Sequence, residues 1–194
     1  MDNTVGSRQG DIIIGTLLGD GFLERNGAHV RLIMVHSFKQ KSYVEWKTQQ
    51  LINLRGQVLD KRRFDSRTQK FYYYSSFRSQ TSPFLEKYYQ LFYQNGKKII
   101  PSKLPKIITP LILAIWLMDD GYKRNDCNAL RLNTQSYSAE EHHIIQQALS
   151  RMGIESKIHK QDKYLVTYIP SRSMNQLRRI VREFIVPDME YKIV

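Results

Sequence analysis

Two apolar stretches lying one hundred residues apart end in the same way. Ile13-Ile14-Gly15-Thr16-Leu17-Leu18-Gly19-Asp20-Gly21 and Leu113-Ala114-Ile115-Trp116-Leu117-Met118-Asp119-Asp120-Gly121 each finish in an acid and a glycine. Each is followed by basic, alternating sequence of the kind that forms strands. The C-terminus of a helix is already partly negative, so an acid there is disfavoured. Two such ends side by side are worse, because neighbouring like charges raise each other's pKa. A bound cation reverses that argument. The pair therefore points to a metal site shared by two repeats. For either acid alone, the plain alternative is a solvated carboxylate at a helix end.

The rest of the chain repeats around these runs. In the first copy, Asp11 is placed to cap a helix that Gly21 stops. Asn26-Gly27 is a hairpin signal between strands at 22–25 and 30–35. In the second of these, Leu32 and Met34 face one way and Arg31 and Ile33 the other. A helix follows at 42–54, then strands at 58–64 and 71–74, then a helix that Ser82-Pro83 opens and that runs to 93. Residues 95–106 read as a linker punctuated by Pro101 and Pro105. In the second copy, Thr109-Pro110 caps the helix, a hairpin runs to 133, and a helix covers 138–152. Strands at 156–160 and 164–169 and a helix at 171–184 complete it. Gly56 matches Gly153 at an offset of 97, and Lys98-Ile99-Ile100 matches Lys192-Ile193-Val194 at 94. An offset shrinking from 100 to 94 is what loop deletions leave in a duplication. The two units are 1–100, with its linker from about 95, and 101–194.

A net charge of +12 requires an anionic partner, either nucleic acid or an acidic membrane surface. Cys127 is the single cysteine, which excludes a disulfide framework within the chain and a cysteine-rich zinc site. A reducing compartment is the simplest setting. The longest fully apolar run, 111–118, is too short to span a bilayer. Residues 1–11 are polar and carry acids, unlike a signal or transit peptide, so an intracellular protein is expected.

The two runs resemble the signature helix of the LAGLIDADG homing endonucleases, specifically members with two copies in one chain. Gly96-Lys97-Lys98-Ile99-Ile100-Pro101, Leu132-Asn133-Thr134-Gln135-Ser136 and Tyr191-Lys192 extend the likeness to a monomeric, intron-encoded branch. The resemblance implies an α+β fold of two pseudo-two-fold-related αββαββα repeats with antiparallel, saddle-shaped sheets. It places the metal-binding acids at the eighth motif position, Asp20 and Asp120, with Gly19 and Asp119 flanking them as further candidate ligands. The sixth position, often acidic in the family, is Leu18 and Met118. The third, usually small, is Gly15 but Ile115, so the helix contact leans on Gly15, Gly19 and Ala114. One lysine from each repeat, here Lys98 and Lys192, is implied at the cleavage centre. The end of the chain is then part of the active site.

Hard oxygen ligands favour Mg2+, with Mn2+ as its substitute. The strands are implied to lie in the major groove of double-stranded DNA. Arg31, Lys61, Arg63, Lys70, Tyr72 and Tyr74 in the first repeat, and Arg131, Lys157, His159 and Lys163 in the second, are the candidate contacts. The implied activity is that of a monomeric, site-specific endonuclease cutting a long asymmetric target to leave 3′ overhangs. Its setting is an organelle (mitochondrion or chloroplast) or the prokaryotic cytoplasm.

Two rivals belong to other classes: an RNA-binding intron maturase, and a DNA-binding remnant without catalysis. The presence of both acids argues against the remnant. Other nuclease patterns fit poorly. In Pro187-Asp188-Met189-Glu190 only one residue separates the acids, and His142 and His143 are adjacent on a helix and point apart.

Overall fold

The computed structural model describes residues 7–193; the stretch 1–6 and Val194, the last residue of the matched end segment, lie outside the described residues. The first repeat runs α1 (Arg8–Leu18), β1 (Phe22–Asn26), β2 (His29–Ser37), α2 (Lys41–Gln50), β3 (Gly56–Asp65), β4 (Lys70–Ser79) and α3 (Glu86–Phe92). A short hairpin of β5 (Tyr93–Gln94) and β6 (Lys97–Lys98) and a helix α4 (Leu104–Ile107) lead onward. The second repeat is α5 (Pro110–Asp120), β7 (Gly121–Lys123), β8 (Leu130–Leu132), α6 (Ala139–Arg151), β9 (Lys157–Gln161), β10 (Tyr164–Ile169) and α7 (Ser171–Val181). The two sheets are antiparallel with the same strand order, β1-β2-β4-β3 and β7-β8-β10-β9. Among the described residues, no helix is long and apolar enough to cross a membrane.

Three local expectations need correction. The cap of α1 is Ser7, whose side chain accepts from the Gly10 amide. Asp11 lies in the first turn instead, and its Oδ2 accepts from Thr109 Oγ1 at 2.7 Å. Thr109 does cap α5, accepting from the Ile112 amide. The first hairpin turns one residue later than expected. Asn26 pairs with His29 as strand, and Gly27 alone in that turn has positive φ (67°), the pattern of a glycine-first two-residue turn. Residues 95–106 are more than a linker. Asn95 and Gly96, with φ of 51° and 75°, turn the β5–β6 hairpin, and α4 follows.

α1 and α5 lie side by side and run the same way. Asp11 and Thr109 join their beginnings, and the Asp20 amide donates to Asp119 Oδ2 at their ends. Glycine permits this approach. A Cβ at Gly15 would stand 2.7 Å from Ile115 Cβ and 2.9 Å from the Ile112 carbonyl oxygen, and one at Gly19 would overlap Asp119. Ala114 is fully buried, as are Ile12, Ile13, Ile14 and Leu17 from α1 and Ile112, Leu113, Ile115 and Trp116 from α5. They join the inward residues of both sheets, among them Leu32, Met34, Phe77, Leu130 and Leu132, in one core continuous across the two halves. Close packing at this seam leaves little slack, since interiors are filled to crystal-like density.

Candidate active site and nucleic-acid interface

The helix ends leave carbonyls with no partner in the helix, and a cation there is favoured on two counts. Lys98, delivered by β6, donates from Nζ to the carbonyls of Gly19 and Gly21, both at 2.9 Å. Lys192, at the end of the chain, donates to those of Asp119 (3.2 Å) and Gly121 (2.9 Å). The two lysines thus occupy matching places, each clasping the residues on either side of its own acid. Burial lowers the pKa of both ammonium groups, and the three nearby aspartates oppose that shift.

The acids themselves are less alike. The Asp20 side chain is 44% exposed, and His36 Nδ1 lies 3.5 Å from its Oδ2. Asp120 is half-buried and accepts from Trp116 Nε1 at 3.2 Å. Asp119 is buried, and both its oxygens are taken. Tyr43 OH donates to Oδ1 at 2.8 Å, the Asp20 amide to Oδ2, and Lys47 Nζ stands 3.0 and 3.3 Å from the two. Asp20, His36 and Asp119 do bring potential ligand atoms within 4.8 Å of one another. Asp119 is already matched by a buried lysine, however, whereas among the described residues Asp20 and Asp120 each keep a carboxylate oxygen without a hydrogen bond.

Desolvation, followed by repulsion from Asp119, pushes the Asp20 carboxyl up to about 6. Desolvation, followed by repulsion from Asp20 and Asp119, pushes Asp120 up to about 7. Paired hard-oxygen donors that resist ionising together fit a divalent cation, whose charge removes the repulsion. His36 is driven down to about 4, first by burial and then by Lys47, so its ring is neutral near pH 7.

These shifts carry a sign for stability. Unfolded aspartate titrates near 3.9, so between about pH 4 and 7 the folded chain holds protons that the unfolded chain has lost. Metal-free stability contributed by the pair therefore falls as pH rises across that window. Without divalent ions, Asp20→Asn and Asp120→Asn should each stabilise the protein at pH 8 by about 1 kcal/mol, after allowing for solvent screening, and change little at pH 4. Thermal unfolding in chelator at the two pH values checks this. Equal shifts at both would show that the fold does not raise these two carboxyls.

The sheets carry the other candidate residues. Directly paired residues in an antiparallel sheet share a face. Pairing of Lys61 with Tyr74, Arg63 with Tyr72, Asp65 with Lys70, and Ser37 with Tyr74 puts Arg31, Lys61, Arg63, Lys70, Tyr72 and Tyr74 on one face. That face also exposes Phe22, Val35 and Leu59, while Leu32, Met34 and Phe77 fill the opposite one. Arg31 is ion-paired with Glu24 across the strands. In the second sheet, Arg131 and Lys157 both oppose Tyr168, whose ring stacks on His159 at 4.2 Å. Lys163 departs from this group. It sits in the β9–β10 turn beyond the sheet face, with its Nζ 5.3 Å from the Tyr164 ring centre.

Four side chains at the helix ends were not singled out from sequence for this site: His36, Tyr43, Lys47 and Trp116. Two left a trace there. His36 continues the inward alternation of Val30, Leu32 and Met34, and Lys47 interrupts the buried stripe Tyr43, Val44, Leu51, Leu54. A polar residue on a core-facing position is the informative exception. Trp116 and Tyr43 gave no such signal, since large aromatics in apolar stripes are ordinary core.

The sequence pattern of the LAGLIDADG DNA endonuclease family matches residues 10–177, and this chain belongs to that family. DNA endonuclease I-ChuI of Chlamydomonas applanata is 31% identical, over 96% of this chain and 94% of its own length. Cytochrome b mRNA maturase bI2 of Saccharomyces cerevisiae is 30% identical over 100% of this chain, which spans 49% of that protein. The solved structure of the homing endonuclease I-WcaI bound to its DNA recognition sequence superposes with a TM-score of 0.89. It covers 98% of this chain and 88% of the other at 24% identity, a likeness of fold.

Proposed function

We propose that this chain is a site-specific DNA endonuclease that cuts both strands of a long, asymmetric duplex. The observation that carries this reading is the twinned site: two acids at the ends of adjacent parallel helices, each flanked by a lysine bound to the neighbouring carbonyls. Asp20 and Asp120 would hold Mg2+ or Mn2+, with the carbonyls of Gly19 and Asp119 as the adjoining oxygen donors. A divalent ion supplies an activated water and shields the leaving oxygen. Lys98 and Lys192 stand where they can stabilise charge developing on phosphate. The basic, aromatic faces of the two sheets would follow the major groove, base edges being read by side chains at alternate strand positions and phosphates held by Lys and Arg. One chain contains both acids and both lysines, so a monomer suffices. The family resemblance adds short 3′ overhangs and an intracellular setting, organellar or prokaryotic.

A second reading, an RNA-binding maturase, is favoured by one observation: a relative that matches this whole chain bears that name. Selection of cleaved sequences from a randomised duplex library with Mg2+, alongside an intron-splicing assay, separates the two. Binding to the selected duplex should weaken steeply with salt. Each neutralised phosphate adds about 0.9 to the slope of log K against log salt, so six contacts give roughly −5. A flat dependence would remove the electrostatic footprint. Tighter binding to a structured intron RNA than to any selected duplex would hand the assignment to the maturase.

A further inference from the structure

Asp20 and Asp120 hold matching places in the repeats but are oriented by different means. Asp120 accepts from Trp116 Nε1 on its own helix. Asp20 faces His36, which comes from the sheet. Phe22 pairs with Ile33 and Tyr122 with Arg131, which aligns the sheets and sets His36 against Thr134. The Thr134 hydroxyl is engaged with His142 Nε2 (3.0 Å) and the Thr167 amide (2.9 Å). In the place of Asp119 the first repeat has Gly19. The first acid therefore has surroundings that the second lacks.

Those surroundings form a chain of contacts. Lys47 is 0% exposed and ion-paired with Asp119. Its Nζ also lies 3.0 Å from His36 Nε2 and 4.4 Å from the centre of the Tyr43 ring. An ammonium offers only hydrogens, so Nε2 of His36 must accept. The ring proton of neutral His36 then sits on Nδ1, which faces Asp20 Oδ2 at 3.5 Å and Gln40 Oε1 at 3.3 Å. A buried ion pair is costly to desolvate and is commonly replaceable by apolar residues without loss of stability. This pair is joined to Asp20 through His36 and through the Asp20 amide, so it can serve the site as well as the fold.

We propose that Lys47, matched by Asp119, locks His36 in its Nδ1–H tautomer, that His36 is the positioning residue orienting the Asp20 carboxylate, and that the two half-sites are therefore inequivalent. The catalytic consequence rests on the endonuclease reading; the tautomer does not. Hydrogen-bond partners of ligating carboxylates typically affect metal affinity or activity by 10- to 100-fold.

Two measurements on the full chain test this. In metal-free protein labelled with 15N-histidine, His36 should show a protonated Nδ1 and an unprotonated Nε2, and Lys47→Met should allow the other tautomer. A protonated Nε2 in the wild type overturns the proposal. On a selected duplex in single turnover, His36→Leu should slow one strand by about 10- to 100-fold relative to the other. Nicked DNA should accumulate while DNA affinity is unchanged. His36→Asn, whose amide can donate from near the Nδ1 position, should recover most of the loss. Equal slowing of both strands overturns the inequivalence. If the wild type cuts no duplex, the endonuclease reading fails, and the nitrogen spectrum still decides the tautomer.

Discussion

Asp20→Asn and Asp120→Asn should each lower double-strand cleavage at least about a thousandfold, roughly 4 kcal/mol of barrier. DNA affinity should stay within about tenfold, about 1.4 kcal/mol. The two acids end parallel helices whose termini touch, and among the described residues each keeps a carboxylate oxygen without a hydrogen bond. An amide keeps the shape of the carboxylate and its acceptor oxygen but not its charge. Removing one of two ligating charges costs most where charge develops in the reaction and least in binding the duplex. Asp119→Asn should behave differently. Its carboxylate is closed to solvent and bound to Lys47, so the variant leaves a buried ammonium without its counter-charge. Stability should drop by about 3 kcal/mol, with a smaller loss of cleavage per folded molecule than Asp120→Asn gives. Single-turnover cleavage, gel-shift binding and thermal unfolding on the three variants check the pattern. Normal cutting by either Asp20→Asn or Asp120→Asn would remove the shared site. A larger cleavage defect in Asp119→Asn would move the ligand role one residue back.

Lys98→Met and Lys192→Met should each cut the single-turnover rate by about a hundredfold or more, the scale of a lost donor to developing charge. The geometry allows a purely structural alternative. Both ammonium groups bind carbonyls at helix ends, where a cation stabilises by about 0.3–1 kcal/mol. The two roles separate in the data. A helix cap lost would lower the melting temperature slightly and leave the rate per folded molecule intact. A lost catalytic donor lowers the rate at saturating enzyme with little change in affinity. Lys97, exposed next to Lys98 on the same short hairpin and without a match in the second repeat, is the control, and Lys97→Met should be nearly silent. Full-rate cleavage by both Lys98→Met and Lys192→Met would reduce them to helix caps.

The sequence carried the fold wherever the governing contacts were local. Alternation in 30–35, the helix opening at Ser138, and Thr109-Pro110 each state their structure within a few residues, and each is found. The start of α1 was misplaced for a non-local reason. Asp11 has the chemistry of a cap but bonds to Thr109, ninety-eight residues away, and Ser7 does the capping. Helix α4 was hidden because Pro101 and Pro105 signal a break, although Pro105 stands in the first turn, where proline is tolerated. The matched acids and lysines were legible because duplication displayed them twice. Lys47 and His36 showed only as polar residues on core-facing positions; their role was hidden, since their partner Asp119 lies 72 residues from Lys47 and has only a glycine opposite it in the other copy.

The seam at Gly15 and Gly19 has a consequence for the length of a target. With backbone nearly touching backbone and one core running through both halves, sliding or swivelling one sheet against the other would break that packing. The span between the left and right arms of any recognised duplex is then set by the protein, as by a fixed ruler. Single-base changes in an arm cost only the contacts they remove. One inserted base pair at the centre shifts a whole arm by about 3.4 Å and rotates it by about a tenth of a turn, so that every contact on that side loses its partner together.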